Sequence, residues 1–179
     1  MLKKFTVKDI SFIAILSAAL VLAGLLTMPL VMSNHLFGIR NMVSALLYSL
    51  FTMLGLLKVS KMGTLSILGL FHGVVLLMMT PVMFMNMLIG ALVSELVVFA
   101  IYRSYDTDKA KFLASVLFIP MTFPITLIFT MLIHGKTVSE IMEKPLLAVL
   151  FFVASILLSM LGAKSGYMLG RELKKAGKL

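Results

Sequence analysis

Long runs of apolar residues dominate the chain, and short polar segments separate them. Runs of this kind are typical of helices that cross about 30 Å of hydrocarbon, because that distance needs about 20 residues, whereas buried strands are far shorter. The pattern predicts six spans, at Ile10–Met28, Asn41–Leu57, Gly63–Met79, Phe84–Tyr102, Phe112–Ile133 and Pro145–Ala163. No connection is long enough to separate a second domain, so we expect residues 1–179 to form one all-α, six-helix membrane domain.

Composition supports a membrane protein and excludes several other classes. The chain is 61% hydrophobic and only 13% charged, about half the charged share of a soluble domain. A soluble protein of this length could not cover its surface with so few charges. The chain contains no cysteine, which excludes disulfides and thiolate chemistry.

The basic residues predict how the helices are oriented. With the N-terminus in the cytoplasm, only Arg40, Lys136 and Lys144 of the 16 Lys and Arg residues fall in outer segments. Cytoplasmic connections carry such an excess of Lys and Arg, so we expect both termini to be cytoplasmic. The net charge of +9 is thereby explained by topology. Nucleic acid is not an expected partner, because no basic cluster with interleaved aromatic residues is present.

Small residues recur at helical spacing in the first and last predicted helices. Ser11, Ala14 and Ala18 share one face of helix one, and Gly162, Gly166 and Gly170 are each four residues apart in the last helix. Small side chains let helix backbones approach closely in membranes. The glycines favour packing inside the bundle. For Ala14 and Ala18, packing inside the bundle and docking of a partner membrane protein both remain open.

Methionines are concentrated on the predicted outer side. Ten of the 16 lie in outer halves or outer loops: Met28, Met32, Met42, Met78, Met79, Met83, Met85, Met87, Met131 and Met142. Methionine lines soft, adaptable apolar surfaces. The cluster therefore indicates either lipid-facing filler or a deformable outward pocket for a bulky apolar ligand.

Polar residues at membrane depth are candidates for function. We expect the substrate site on the outer face, from His35, Arg40, Asn41, His72, Met79, Met83, Met85, Asn86, His134 and Lys136. Arg40 could hold an anionic group through a bidentate contact, and Lys136 could act as a point charge. For the acidic residue inside a span, Glu95, a structural hydrogen bond or a protonated state is favoured over a proton relay.

No enzyme motif is present in the sequence. The chain has no paired carboxylates, no Gly-x-Ser-x-Gly nucleophile elbow, no phosphate-binding P-loop and no His and Glu at metalloprotease spacing. We therefore expect no catalytic residues, intrinsic metal site or resident cofactor. If ATP drives the protein, a separate chain must hydrolyse it.

Two segments carry a family resemblance that extends over the whole chain. Ala14-Ile-Leu-Ser-Ala18, and Gly162-Ala-Lys-Ser-Gly166-Tyr-Met-Leu-Gly170-Arg-Glu-Leu-Lys-Lys, together with the basic N-terminus and six short helices, resemble the S component of energy-coupling factor (ECF) transporters, in its streptococcal and treponemal subgroup. The resemblance implies a multi-pass protein of the bacterial plasma membrane that captures a micronutrient from outside. It further implies assembly with a T component and two ATPase subunits, with Ala14 and Ala18 contacting the T component.

The outer residues suggest a ligand class but leave the ligand open. Met, Phe and His prevail there and the chain has no Trp, so a flat apolar molecule with acidic edges fits better than a polar vitamin. Haem is such a molecule. His35 and Met83 are possible iron ligands, and Arg40 or Lys136 could meet the propionates. Another vitamin, an aromatic amino acid or another tetrapyrrole remain alternatives, as does a membrane assembly protein with no transport role.

The predicted topology can be tested with single cysteines introduced into the cysteine-free chain. An impermeant thiol reagent applied outside intact cells should label a cysteine at position 137 and leave one at position 60 unlabelled, because basic connections stay in the cytoplasm. Labelling at position 60 with none at 137 would refute the predicted orientation.

Overall fold

The computed structural model describes residues 4–32 and 36–177, and it folds this part of the chain into helices joined by turns. The helices within these ranges are α1 (Val7–Met32), α2 (Ile39–Lys58), α3 (Thr64–Leu77), α4 (Pro81–Tyr102), α5 (Asp108–His134), α6 (Val138–Ile141) and α7 (Pro145–Lys175). The predicted all-helical class is confirmed. Several helices extend beyond the predicted apolar runs, most of all α7, which continues through the basic segment after Ala163.

Five of these helices (α1, α2, α4, α5 and α7) are long and apolar enough to cross a membrane. Their outer surfaces carry large apolar side chains such as Leu26, Leu132 and Leu146, exposed by 76%, 73% and 83%. Lipid is the solvent that suits such a surface, so the chain is a multi-pass helical membrane protein. Helix α3 has 14 residues, about 21 Å at 1.5 Å per residue, so the sixth span stays a prediction.

Tight turns at both ends limit the length of α3. The helix begins after Gly63, whose φ of 95° lies in the left-handed region. At its other end the chain turns at once into α4, where the Thr80 hydroxyl accepts a hydrogen bond from the Met83 amide (3.2 Å) and Pro81 takes the first helical position. A capping threonine followed by proline is a strong helix start, so α3 and α4 form a closely connected antiparallel pair.

Helices α1, α3, α4, α5 and α2 form a closed ring, in that order of contact, and α7 packs on its outside against α2 and α5. The Lys61 ammonium lies 2.6 Å from the Asp9 carboxylate, and the Tyr167 hydroxyl donates to Asp108 (3.0 Å). These contacts bring both described chain ends, the C-terminus of α2 and the N-terminus of α5 to one end of the bundle. We call it the basic end, and the opposite end the cavity end.

The most extensive helix contact joins α2 and α7 through the glycines of α7. A Cβ atom placed on Gly162 would overlap the carbonyl oxygen of Leu46, and one on Gly166 would lie 2.5 Å from that of Leu50. Neither position has room for any side chain. The structure therefore confirms the prediction that these glycines serve close helix packing.

Enlarging Gly166 should separate α7 from α2. We expect Gly166→Leu to lower the free energy of unfolding by about 1–3 kcal/mol or more, the usual cost of overpacking, and to lower the melting temperature in detergent. The matched control is Ser165→Leu, because Ser165 is exposed on the same helix. Equal melting temperatures for the two variants would contradict this account of the α2–α7 contact.

Candidate functional site

The cavity end of the ring encloses a cavity of about 590 Å³ between α1, α2, α3, α4 and α5. This volume is within the range of small-molecule sites. Apolar side chains form most of its wall: Val21, Leu25, Met28, Val31, Leu36, Phe37, Val75, Leu76, Met79, Val82, Met83, Met87 and Ile119. The polar groups come from Thr27, Arg40, Asn41, Ser44, Tyr48, Thr80, Asn86, Thr122 and Thr126. The cavity therefore suits a mainly apolar ligand with a few polar contacts.

Arg40 is the charged residue of the cavity wall. Its Nη1 atom lies 3.2 Å from the Sδ atom of Met83, and a thioether is only a weak hydrogen-bond acceptor. Among the described residues no carboxylate forms an ion pair with this guanidinium. A partly buried cation without a counter-charge is costly, and an anion entering the cavity would remove that cost.

Asn41 connects α2 to the proline-containing segment of α5. Its Nδ2 donates to the Thr122 hydroxyl (2.7 Å), which in turn donates to the carbonyl oxygen of Ile119 (2.6 Å). Pro120 and Pro124 lie inside α5, which continues through both. Asn41 thus lines the cavity, but its amide nitrogen is already engaged in holding α2 against α5.

A tyrosine and a histidine form a buried pair at the inner limit of the cavity. The Tyr48 hydroxyl lies 3.1 Å from Nε2 of His72, with the two rings edge to face at 5.3 Å. Tyr48 lines the cavity, whereas His72 is completely buried and does not line it. A ligand would therefore meet the Tyr48 hydroxyl, while His72 orients that hydroxyl from behind.

Asn86 presents a polar atom without a partner. The residue is 7% exposed and lines the cavity, and its Oδ1 accepts no hydrogen bond from the residues that the structure describes. A buried acceptor that is left unsatisfied costs about 1–3 kcal/mol. The Oδ1 atom itself is enclosed, so a rotation of the side-chain amide would be needed to bring it against a hydrogen-bond donor on a ligand.

The structure brings together half of the ten predicted substrate residues. Those that line the cavity are Arg40, Asn41, Met79, Met83 and Asn86. Met85 and His72 do not line the cavity. His134 is exposed at the C-terminal end of α5, and Lys136 is exposed in the turn after it. These four predictions relied on membrane depth alone, which does not show towards which neighbour a helical residue points. The prediction for His35 lies outside the described residues.

The sequence interpretation missed Ser44 and Tyr48. They follow Arg40 at intervals of four residues on α2, so the three share one face of the helix, and all three line the cavity. That spacing was a usable signal, because residues four apart in a helix point the same way. Only some of the methionines predicted to form an outward pocket line the cavity. Met28, Met79, Met83 and Met87 line the cavity, whereas Met78 is 90% exposed.

Glu95 has a structural position at the other end of α3. Its carboxylate accepts hydrogen bonds from the Gly63 amide (2.6 Å), the Ser66 amide (3.1 Å) and the Ser66 hydroxyl. The free amides at a helix N-terminus favour a negative charge, so Glu95 of α4 fastens the start of α3. Tyr105 is buried beside this contact, and burial together with the Glu95 carboxylate raises the pKa of its hydroxyl.

The small residues of α1 lie on different sides of the helix. Ala23 is 3% exposed and belongs to the core, whereas Ser11, Ala14 and Ala18 are exposed on the side that faces away from the ring. Packing of Ala14 and Ala18 inside this chain's own bundle, one of the two open interpretations, is therefore wrong. They lie on a smooth outer strip beside large apolar residues such as Ile15 and Leu22.

Comparison of the chain with models of known protein families, with curated protein sequences and with solved structures gave no match. The functional argument consequently rests on the residues of this chain.

Removing the charge of Glu95 should loosen α3. We expect Glu95→Gln to lower the free energy of unfolding by about 1–2 kcal/mol, because a neutral amide loses the interaction with the helix N-terminus. Thermal unfolding in detergent measures the loss of stability. The matched control is Glu172→Gln, because Glu172 is an exposed residue of α7. A melting temperature equal to that of the control would show that Glu95 does not fasten α3.

Proposed function

We propose that the protein is the substrate-capturing membrane subunit of an importer, of the S-component type, and that it binds a largely apolar small molecule carrying an anionic group. The observation that carries this proposal is the Arg40 guanidinium, which faces a mainly apolar cavity with a methionine thioether as its side-chain partner. A cation so placed favours an anionic ligand. The orientation of the cavity towards the outside follows from the distribution of basic residues and belongs to the proposal.

Two polar contacts define the ligand more closely. Arg40 can meet a carboxylate or phosphate through two parallel N–H donors, which fixes both position and orientation. Asn86 lines the same cavity, and rotation of its amide would let the Oδ1 atom accept from an N–H or O–H donor on the same molecule. The remaining wall is apolar, so the body of the ligand should contribute through its burial, at about 25 cal/mol per Å² of apolar surface.

Haem remains a proposed ligand within this class. Its ring would contact the apolar wall, and a propionate would pair with Arg40. Among the cavity-lining residues that the structure describes, the thioethers of Met28, Met79, Met83 and Met87 are the potential iron ligands. His72 is buried behind Tyr48 and does not offer a nitrogen to the cavity. A vitamin or an aromatic amino acid with a carboxylate satisfies the same two polar contacts.

Transport requires partners, and the outer strip of α1 is the proposed contact. Ala14 and Ala18 are exposed on the side of α1 that faces away from the rest of the ring, and small side chains allow a second helix backbone to approach. Support for this assignment comes from that exposure together with the resemblance of the segment to S components. ATP hydrolysis would belong to two separate ATPase subunits, and the protein itself would not be an enzyme.

Titration of haem into the purified apo-protein tests the proposed ligand. We expect a shifted Soret band in the parent protein and an affinity lower by about thirtyfold or more in Arg40→Gln, because truncating one partner of a buried charge pair costs at least about 2 kcal/mol. Lys136→Gln is the matched control, since Lys136 is exposed and does not line the cavity. Absence of a shift in the parent would exclude haem, and equal affinities in both variants would exclude Arg40 as the anion contact.

Bulky side chains on α1 test the proposed docking strip. We expect Ala14→Trp and Ala18→Trp to prevent co-purification with the T component and ATPases, while ligand binding by the isolated protein is retained because the cavity lies at the other end. Leu22→Trp is a control, since that position already carries a large exposed side chain. Normal assembly of both alanine variants would mean that the strip is not the interface.

A further inference from the structure

A second cavity, of about 390 Å³, lies at the basic end between α2, α5 and α7. Three cationic residues line it, namely Lys111 of α5 and Arg171 and Lys174 of α7. The rest of its wall comes from Leu57, Asp108, Tyr167 and Gly170. Gly170 has no side chain and packs closely on Leu57, so the wall of this second cavity is partly apolar between α2 and α7.

The charges of this second cavity are not balanced within the described chain. Asp108 is the acidic residue of its wall, and it already interacts with the buried Lys111 ammonium (3.4 Å) and the Tyr167 hydroxyl (3.0 Å). Arg171 lies over the Tyr167 ring, 5.8 Å from its centroid. Neither Arg171 nor Lys174 has an ion-pair partner among the described residues, whereas the adjacent Lys175 pairs with Glu172 at 2.7 Å. Two cations thus remain for a ligand.

The residues of the second cavity follow or precede the apolar runs of α5 and α7, and phospholipid headgroups lie at the ends of membrane-spanning runs. Asp108 and Lys111 immediately precede an apolar run that begins at Phe112, and the α7 residues follow the run that ends at Ala163. Basic pockets between membrane helices at this depth bind anionic lipid headgroups. The apolar Leu57 wall suits the glycerol and acyl part of a lipid, which inorganic phosphate lacks.

We propose that this second cavity is a binding site for the phosphodiester headgroup of an anionic phospholipid. Arg171, oriented by the Tyr167 ring, and Lys174 contact the phosphate oxygens, and the Lys111–Asp108 pair forms the inner wall. A lipid held there bridges α5 and α7 at the basic end. This site is separate from the cavity at the cavity end, and it does not depend on the proposed transport function.

Native mass spectrometry of the full chain in detergent tests the site, with dioleoyl phosphatidylglycerol and dioleoyl phosphatidylcholine as probes of equal acyl length. We expect retention of phosphatidylglycerol in preference to phosphatidylcholine, and about fivefold weaker phosphatidylglycerol binding in Arg171→Gln and in Lys174→Gln, as for one basic residue near an anionic lipid. Lys175→Gln is the matched control, because it removes the same charge from the adjacent residue, which is outside the cavity wall. Its affinity should change less than twofold.

Equal retention of the two lipids by the parent protein would overturn the proposal. An equal loss of affinity in Lys175→Gln would also overturn it, because that result would indicate diffuse attraction to the basic end. Displacement of phosphatidylglycerol by inorganic phosphate at equal concentration would indicate a free-anion site instead of a lipid site. Arg171→Lys provides a second variant if Arg171→Gln folds poorly. It keeps the charge but loses the planar donor group, so we expect intermediate binding, and unchanged binding with Arg171→Lys would likewise contradict the assigned phosphate contact.

Discussion

Close approach of helix backbones at glycine is the constraint on which the bundle depends. Lipid chains are as apolar as leucine, so burying apolar side chains between helices gives little driving force in a membrane, and packing contacts take its place. Gly162 and Gly166 let α7 lie directly on the carbonyl groups of α2. Gly69 does the same for α3 on α4, where a Cβ atom would meet the Met87 carbonyl oxygen at 2.7 Å. These contacts hold α2 and α4, which carry most of the polar groups of the cavity at the cavity end.

This packing explains how a cavity can persist at one end of a small bundle. At the basic end the Glu95 contact closes the space between α3 and α4, and the Lys61–Asp9 ion pair ties α1 to the turn before α3. At the cavity end the Asn41–Thr122 hydrogen bond joins α2 to α5, and part of the cavity wall consists of methionine side chains that can change conformation. The basic end is therefore rich in specific polar contacts, and the side chains at the cavity end can adapt to a ligand.

The cavity has an electrostatic asymmetry of its own. Arg40 contributes a charge, and Asn86 contributes an acceptor that has no partner within residues 4–32 and 36–177. The remaining polar groups are partly engaged with one another, as in the chain from Asn41 to Thr122 to the Ile119 carbonyl. A neutral apolar molecule would leave both the charge and the acceptor unsatisfied. An anion with a hydrogen-bond donor would satisfy them, and this difference sets the expected selectivity.

Some of these features could be predicted from the sequence and others could not, for physical reasons. Long apolar runs are sufficient to predict membrane helices, and glycines four residues apart are sufficient to predict a close contact, as Gly162 and Gly166 show. Which neighbour a helical side chain faces depends on the rotation of each helix in the bundle, and the sequence does not give this rotation. His72 and Met85 were therefore predicted at the substrate site, although neither lines the cavity. The shortness of α3 arises from turn geometry at Gly63 and Thr80. The outward position of Ala14 and Ala18 required knowing which helices surround α1.

The most direct test of the central claim is to identify the small molecule that the protein retains when it is purified from its own membrane. Mass spectrometry of the material released on denaturation should detect, at one per chain, a largely apolar molecule with a carboxylate or phosphate, and this molecule should be absent from Arg40→Gln prepared in parallel. An uncharged molecule, or the same anion retained equally by Arg40→Gln, would contradict the claim that the Arg40 guanidinium selects the ligand.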